Sequence, residues 1–446
     1  MGRRRARQGT LRRRRAGSRS HDQRSDPARA REGRGRLRET QRRDRRPLRR
    51  WPPSGQHNRA LAPADHHATR DRPRRRRARQ GHRRDGQPAG RELTVAVPRF
   101  GLNRFDARSV DAFAADVRRA ESLGWEAAFQ PDSQLRRRDT YVLMAAAARV
   151  TERIVLATLL ANPVNRHPSV TASSIATVDE LAPGRTLLGW GVGDTAVRLI
   201  GLRPARVHEL EASARLMRKL LDGQAVDVGA REPARLPHHR PVPIWIAAGG
   251  PRTLRMAGGV ADGVFIRVGT HAANLKKSID EIHAGAAAAG RDPSSVRLGA
   301  VFHTVLVEDR ARALAMGKSM AAGYYEYSPM LFDPPGLVWS GPDPEKLKRE
   351  RGVFPDFHHA TDLEASGRVV DFLPEAAADA FCLRGGVSEI VTQLVAVLRA
   401  APASFDYVCL HPIPNPTAPD DPERGFMARV ASEVLPRVRA ELGAGA

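Results

Sequence analysis

ANPVNRHPSVTASSIATVDELAPGRTLLGWGVGD, residues 161–194, is the stretch that decides the fold. It follows a short apolar run, Ile154 to Leu160, whose length and composition predict a β-strand. A polar loop then leads into a segment with apolar residues at helical spacing. That segment ends at Pro183-Gly184, because proline has no backbone N–H and glycine tolerates positive φ. A second strand, Thr186 to Trp190, completes what the pattern predicts to be a βαβ unit.

Charge is distributed very unevenly along the 446-residue chain. Residues 1–90 hold 31 arginines, no lysine and 8 acidic residues, and so carry +23 of the formal net charge of +25. They include the run RRRR at 12–15 and again at 74–77, with almost no aliphatic residues. Such a segment cannot bury enough apolar surface to offset the entropy of ordering it. We therefore expect a disordered Arg-rich tail over residues 1–92.

Three interpretations of this tail stay open. The translation start can lie too far upstream, since an excess of Arg, Pro, Gly and Ala without Lys is typical of GC-rich DNA read as codons. The tail can instead be a solvated extension, or it can bind nucleic acid through phosphates with a steep salt dependence. Nucleic-acid binding is the least favoured of the three, because Trp51 is the only aromatic residue in 1–90 on which a base could stack.

The cysteine count and the hydropathy pattern bear on the compartment. Two cysteines, Cys382 and Cys409, are too few for a disulfide framework, so a reducing compartment is expected. No apolar run reaches the roughly 18 residues that a transmembrane helix needs. No apolar segment of a secretory signal follows the N-terminal arginines. We expect a cytoplasmic protein that does not bind membranes.

From Leu93 onward, predicted strands alternate with predicted helices. The eight strands are Leu93–Val97, Trp125–Gln130, Ile154–Leu160, Thr186–Trp190, Val242–Ala248, Val264–Val268, Val296–Val307 and Tyr407–His411. This alternation over residues 93–446 predicts an α/β fold, a (β/α)8 TIM barrel, with an open doubly wound sheet as the alternative. Residues 326–380 interrupt the alternation as a long insertion of the kind that forms lids or interfaces.

In a barrel, ligands bind at the carboxyl ends of the strands. Asp132 and Asp194 follow strands two and four and are candidates for proton transfer, since carboxylates in such sites often have shifted pKa values. The alternative is that each accepts hydrogen bonds from loop amides. His303 and His411 lie on strands seven and eight, where they either face the barrel mouth or belong to the core.

The segment Ala247-Ala248-Gly249-Gly250-Pro251 predicts a phosphate-binding loop. Its small residues leave backbone N–H groups accessible at the start of a helix, where the helix dipole favours anions. Close packing of strand against helix is the alternative. We predict no metal site, because His238-His239 and His358-His359 lack partner ligands at a useful spacing.

Three stretches carry a family resemblance: AESLGWEAAFQPDS (120–133), RIVLATLLANPVNRHPSVTASSIATVDELAPGRTLLGWGVGD (153–194) and PVPIWIAAGGPRTLRMAGGVADGVFI (241–266). They are similar to the bacterial luciferase-like superfamily, and most of all to its coenzyme F420-dependent branch. That branch includes methylenetetrahydromethanopterin reductase and F420-dependent glucose-6-phosphate dehydrogenase. The resemblance covers residues 93–310 strongly and 380–411 weakly.

The resemblance implies a (β/α)8 barrel of the luciferase-like type with insertions, which binds coenzyme F420 or, as the alternative, FMN. It implies a non-proline cis peptide at Leu159 and Leu160, against which the cofactor ring would lie. The cofactor site that it implies consists of Asp132, Ser133, Leu159, Leu160, Val192, Gly193, Ala247, Ala248, Gly249 and Gly250. The candidates for catalysis are Asp194, Asp132 and His303.

Two departures from the sugar-phosphate enzymes of this branch affect the expected substrate. Ser133 follows Asp132 where those enzymes have a histidine, and their phosphate-gripping lysine is not matched around Arg267 to Thr270. A sugar phosphate is therefore disfavoured.

We predict an F420-dependent oxidoreductase that transfers hydride between the deazaflavin and a small organic substrate, and that forms a homodimer. The alternatives are an FMN-dependent luciferase-like monooxygenase, a non-catalytic cofactor-binding protein and, least favoured, a nucleic-acid binder acting through the basic tail.

Overall fold

A computed structural model describes residues 96–103, 105, 108–414 and 425–444. The tail predicted over residues 1–92 lies outside the described residues. The described part holds nine strands: β1 (Arg99–Leu102), β2 (Ala127–Gln130), β3 (Val155–Thr158), β4 (Thr186–Trp190), β5 (Ile244–Ala248), β6 (Gly263–Ile266), β7 (Arg297–Leu306), β8 (Cys382–Gly385) and β9 (Tyr407–Pro412).

Eight of these strands close into a barrel. Strands β1 to β7 pair in parallel with their sequence neighbours, and β9 pairs with both β7 and β1. The predicted (β/α)8 TIM barrel is therefore confirmed, and the open sheet was wrong. Strand β8, which the sequence pattern did not predict, extends the sheet beside the last residues of β7, from His303 to Leu306.

Helices follow the strands on the outside of the barrel. They are α1 (Val110–Ser122), α2 (Thr140–Ala148), α3 (Pro168–Leu181), α4 (Thr195–Arg198), α5 (Val207–Leu221), α6 (Pro251–Val260), α7 (Ala272–Ala288), α8 (Arg310–Tyr327), α9 (Pro344–Arg351), α10 (Leu363–Val369), α11 (Glu375–Phe381), α12 (Val387–Ala400), α13 (Phe426–Arg429) and α14 (Leu435–Gly443). A π-helical stretch, Val430–Val434, joins the last two. Among the described residues, no helix is long and apolar enough to cross a membrane.

The first strand lies later than predicted. The prediction was Leu93–Val97, of which residues 93–95 lie outside the described range, whereas Ala96 and Val97 form no strand and β1 begins at Arg99. Pro98 lies just before β1, and proline has no N–H to donate to a ladder. Phe100 and Leu102 are buried in the core between sheet and helices, which explains why this less apolar stretch forms the strand.

The lower half of the barrel interior is filled with aromatic rings. Phe129, Trp245 and Phe265 contact one another, with ring centroids 5.3 Å apart for Phe129 and Phe265 and 4.7 Å for Trp245 and Phe265. Tyr407 packs edge-on against Trp245, and the Arg99 guanidinium lies 3.9 Å above the Tyr407 ring. These rings fill the barrel interior below the carboxyl ends of the strands.

Candidate active site

A cavity of about 550 Å³ opens at the carboxyl ends of the strands. All twelve residues that the sequence predicted for catalysis or cofactor binding line it: Asp132, Ser133, Leu159, Leu160, Val192, Gly193, Asp194, Ala247, Ala248, Gly249, Gly250 and His303. The barrel thus brings together side chains from five strands that are far apart in sequence. Their individual roles stay predictions.

One wall of the cavity is formed where β3 ends. The peptide bond between Leu159 and Leu160 is cis, as the family resemblance implied. Gly191 lies against this bend, since a Cβ at that position would lie 2.8 Å from Leu160 Cδ2. Gly193 has a φ of +80°, which favours glycine. The absence of side chains at 191 and 193 leaves the exposed wall to Leu160 and Val192.

The loop between β5 and α6 forms a second wall with few side chains. Gly250 is the N-cap of α6, and no side chain caps this helix start. A Cβ on Gly249 would lie 2.7 Å from the Arg267 carbonyl oxygen, whereas one on Gly250 would meet nothing within 4 Å. Uncapped N–H groups at a helix start that faces a cavity can bind an anion.

Asp132 is buried and paired with an arginine. Arg166 Nε lies 3.2 Å from Asp132 Oδ2, and the same guanidinium bonds to Asp139 at 2.5 Å. Burial raises the pKa of Asp132, and the nearby positive charge of Arg166 opposes that rise without cancelling it. Arg166 was not among the residues predicted for the site, so its pairing with a cavity carboxylate was missed.

Asp194 occupies a more open position. Its Oδ1 accepts a hydrogen bond from Arg198 Nε at 2.6 Å, and 44% of its side chain is exposed. The main partner of Asp132 and of Asp194 is an arginine side chain and not a loop amide. The two carboxylates therefore have different surroundings, one buried and one partly solvated, on the same cavity.

His303 and His411 both face the cavity. They pair across β7 and β9, with ring centroids 4.7 Å apart. Asn103 Nδ2 lies 2.8 Å from His411 Nδ1, within hydrogen-bonding distance. Tyr324 packs edge-on against His303, and burial raises the pKa of Tyr324 to about 12.

Several buried polar atoms on the cavity wall have no hydrogen-bond partner in the part of the chain that the structure describes. They include Asn103 Oδ1, Ser133 Oγ and Asn162 Nδ2. Leaving such groups unsatisfied costs about 1–3 kcal/mol each. Donors and acceptors of this kind, placed around one cavity, indicate that it is built to receive a polar ligand.

The insertion contributes a cluster that the sequence analysis rejected. His358 and His359 line the cavity, and both rings lie against Asp356. Asp356, which precedes these histidines by only two and three residues, was overlooked as a neighbouring carboxylate. The signal was present in the sequence, and only the local turn, a 3₁₀ helix at Phe357–His359 capped by Asp356, made the partnership visible.

Comparison with known proteins agrees with this geometry. The model of the family described as luciferase-like monooxygenase matches residues 93–404. The chain belongs to this family. The resemblance that the sequence carried is thereby confirmed, along with the barrel of the luciferase-like type.

Curated relatives of this family member are named as reductases and dehydrogenases. The 5,10-methylenetetrahydromethanopterin reductase of Methanopyrus kandleri is 25% identical over 369 residues, which cover 77% of this chain and 100% of the relative. The F420-dependent glucose-6-phosphate dehydrogenase of Beutenbergia cavernae is 30% identical over 317 residues, 67% of this chain and 82% of the relative. These names confirm the predicted enzyme class, an oxidoreductase.

Solved structures show the same fold. The coenzyme F420-dependent tetrahydromethanopterin reductase from Methanopyrus kandleri superposes with a TM-score of 0.57 at 21% identity, covering 77% of this chain and 100% of that one. An F420-dependent secondary alcohol dehydrogenase gives a TM-score of 0.56 at 19% identity, covering 77% and 99%. At this level of identity the likeness concerns the fold alone.

Proposed function

We propose that this luciferase-like family member is a coenzyme F420-dependent oxidoreductase that transfers hydride between the deazaflavin and a small organic substrate. The observation that carries the proposal is the cavity. Its lining contains every residue that the resemblance assigns to the F420 site, including the cis Leu159–Leu160 bond. Relatives named F420-dependent glucose-6-phosphate dehydrogenase support the choice of cofactor.

The residues present fit such a group. A flat heteroaromatic ring needs an apolar wall with few protruding side chains, and Leu160, Val192 and Gly193 line the cavity where β3 and β4 end. The polar edge of the ring needs donors and acceptors, and Ser133 Oγ and Asn162 Nδ2 are buried without partners among the described residues. A phosphate needs N–H donors, which the uncapped start of α6 can supply.

When bound, the deazaflavin would supply the hydride-transfer chemistry, and the chain would supply position and protons. Leu159, Leu160 and Val192 would hold the ring by apolar contact. The loop 247–250 would bind the phosphate through its backbone. A 550 Å³ cavity closed at the barrel base would limit the access of water to the reacting centre.

Asp194 is proposed to hold the proton that accompanies hydride transfer. Its carboxylate lines the cavity and is partly solvated, so it can exchange protons with water. Asp132 and His303 are the other candidates, and both are buried on the cavity wall. Asp132 is tied to Arg166, which favours a binding role for it over proton transfer.

Turnover with and without oxygen tests the proposal. The full chain, given oxidised F420 and a panel of small alcohols under nitrogen, should bleach the deazaflavin absorbance with at least one of them. A sugar phosphate serves as the disfavoured substrate. Turnover that needs FMN, a flavin reductant and oxygen would instead show a flavin monooxygenase and overturn the proposal.

Two further expectations belong with this function. We propose that residues 93–446 form the catalytic barrel and residues 1–92 an extension that is not needed for the chemistry. We also propose that the enzyme is a homodimer, which light scattering on the purified protein would test.

A further inference from the structure

We propose that Asp356, His358 and His359 form a binding site for a divalent transition metal of the zinc class, on the insertion that walls the cavity. This site is independent of the cofactor proposal, because it lies on different residues and can be measured without F420. Two imidazole nitrogens and one carboxylate are the ligand types that zinc takes in catalytic sites, with a further position left for water or substrate.

The three side chains converge on one point. His358 Nδ1 lies 3.0 Å from Asp356 Oδ1, and His359 Nδ1 lies 2.9 Å from Asp356 Oδ2. Each of the three side chains offers one ligand atom, and these three atoms all lie within 4.8 Å of one another. Ligands at about 2.0–2.2 Å from a tetrahedral zinc are themselves about 3.3–3.6 Å apart, so small shifts would admit the ion.

The contact between His358 and Asp356 is not satisfied as a hydrogen bond. At 3.0 Å the two atoms are close enough, yet His358 Nδ1 is buried and has no hydrogen-bond partner of acceptable direction among the described residues. His359, by contrast, makes that bond to the same carboxylate. The two imidazoles thus lie against the two oxygens of one carboxylate, which places three metal-ligand types side by side.

The surroundings hold Asp356 as a carboxylate in a fixed orientation. Its Oδ1 accepts from the His359 backbone N–H at 2.9 Å, and its Oδ2 accepts from the Tyr327 hydroxyl at 3.1 Å. Such outer partners orient metal ligands and strengthen binding.

The fold reserves space for the His358 ring. Gly323 on α8 lies beside it, and a Cβ at that position would come within 2.1 Å of His358 Nδ1. The neighbouring Glu326 is bound by Lys348 and so does not compete for the imidazoles. Because both histidines line the cavity, open coordination positions would be reachable from it, and the fitting ligand is a substrate oxygen such as an alcohol or carbonyl.

Metal content measured on the full chain tests this site. The purified protein is stripped with a chelator, dialysed against zinc, and analysed by mass spectrometry. We expect the wild type to hold about one more zinc per chain than His358→Ala or His359→Ala, and cobalt to give absorption bands typical of a tetrahedral site in the wild type alone. Tyr327→Phe should weaken binding by roughly ten-fold through the lost bond to Asp356.

Two controls show whether a change in zinc content is specific to this site. His238→Ala removes one of another adjacent pair, exposed and hydrogen-bonded to Ser173, and should leave the zinc content unchanged. Histidines of residues 1–95 contribute equally to every variant. If the alanine variants unfold in chelator, Asp356→Asn, which keeps the shape, takes their place. Equal zinc content in the wild type and in a folded ligand variant would overturn the proposal, whatever the result with F420.

Discussion

Asp132 is a buried carboxyl group whose pKa is set by burial and by Arg166. Its folded pKa is raised, so below its ordinary pKa the carboxyl is neutral in both folded and unfolded chains, and stability falls as pH rises through the folded pKa. Asn cannot ionise, so Asp132→Asn should be more stable than the wild type at neutral pH, by on the order of 1 kcal/mol. Arg166 keeps Asp139 as a partner in this variant.

Urea unfolding of both proteins between pH 4 and pH 8 checks this. The difference in the free energy of unfolding should shrink as the pH is lowered toward 4. A variant that is less stable than the wild type at neutral pH would show that the pair with Arg166 outweighs the cost of burial.

Asp194 gives a prediction about turnover. Asp194→Asn should lower kcat by about 10² or more if the carboxylate moves the proton, while the affinity for the cofactor changes little. Its stability should change by less than about 0.5 kcal/mol, since the pair with Arg198 is exposed. Asp280→Asn is the matched control, because Asp280 forms the same kind of pair with Lys276 on α7, away from the cavity. An unchanged kcat in Asp194→Asn would remove its proposed role.

The sequence could identify residues at strand ends but not their partners. The spacing of apolar residues shows where each strand ends, and therefore which residues lie at the carboxyl edge of the barrel. This was enough to place Asp132, Asp194 and His303. It does not say which arginine lies beside which carboxylate, because Arg166 and Asp132 come from different loops. The Asp356 cluster was missed for a different reason: its residues are close in sequence, but only the 3₁₀ turn at Phe357–His359 brings their side chains together.

At the scale of elements, helices α6 and α7 depend on a glycine contact. A Cβ on Gly258 would lie 2.0 Å from the Ile282 carbonyl oxygen, whereas one on Gly259 would make only ordinary contacts at 3.4 Å or more. Gly258→Ala should therefore destabilise the protein by about 2–3 kcal/mol. Gly259→Ala, its neighbour in α6, should be neutral or stabilise by up to about 1 kcal/mol through helix propensity.

Thermal or urea unfolding of the two alanine variants separates packing from propensity. If both variants lose stability to the same extent, the close approach of α6 to α7 is not what requires a glycine at position 258.

The elements themselves could be predicted where their pattern was strong. Strands β2 to β5 and β7 lie within the predicted runs, and β6 and β9 each extend one residue beyond theirs, because buried parallel strands are nearly continuous in apolar residues. Strand β1 was misplaced, since RFGL is a weaker run than the LTVAV before it. Strand β8 is four residues long and gains its place only by pairing with β7, which no local pattern reveals.

At the scale of the whole molecule, the uneven charge makes a prediction about the tail. Deleting residues 1–92 should leave cofactor affinity within about two-fold, because every predicted site residue lies in the barrel. Any binding to nucleic acid should disappear with the deletion, and in the full chain it should weaken steeply with salt. Fluorescence anisotropy with labelled DNA at several salt concentrations measures both. Nucleic-acid binding that survives the deletion would place that activity on the barrel.

The barrel was predictable because eight strands alternating with helices leave few topologies. The reaction that takes place in the cavity could not be predicted from the fold, since one fold serves many reactions and the substrate is selected by loops. The insertion, which carries Tyr327, His358 and His359 to the cavity, illustrates the point: its sequence showed that it was long but not what it brings.

Binding of the cofactor is the most direct test of the central claim. The full chain is titrated with F420 and, separately, with FMN, and fluorescence quenching gives the two dissociation constants. We expect micromolar binding of F420 and binding of FMN that is at least ten-fold weaker, a difference of about 1.4 kcal/mol. Tighter binding of FMN than of F420, or no binding of either, would contradict an F420-dependent oxidoreductase.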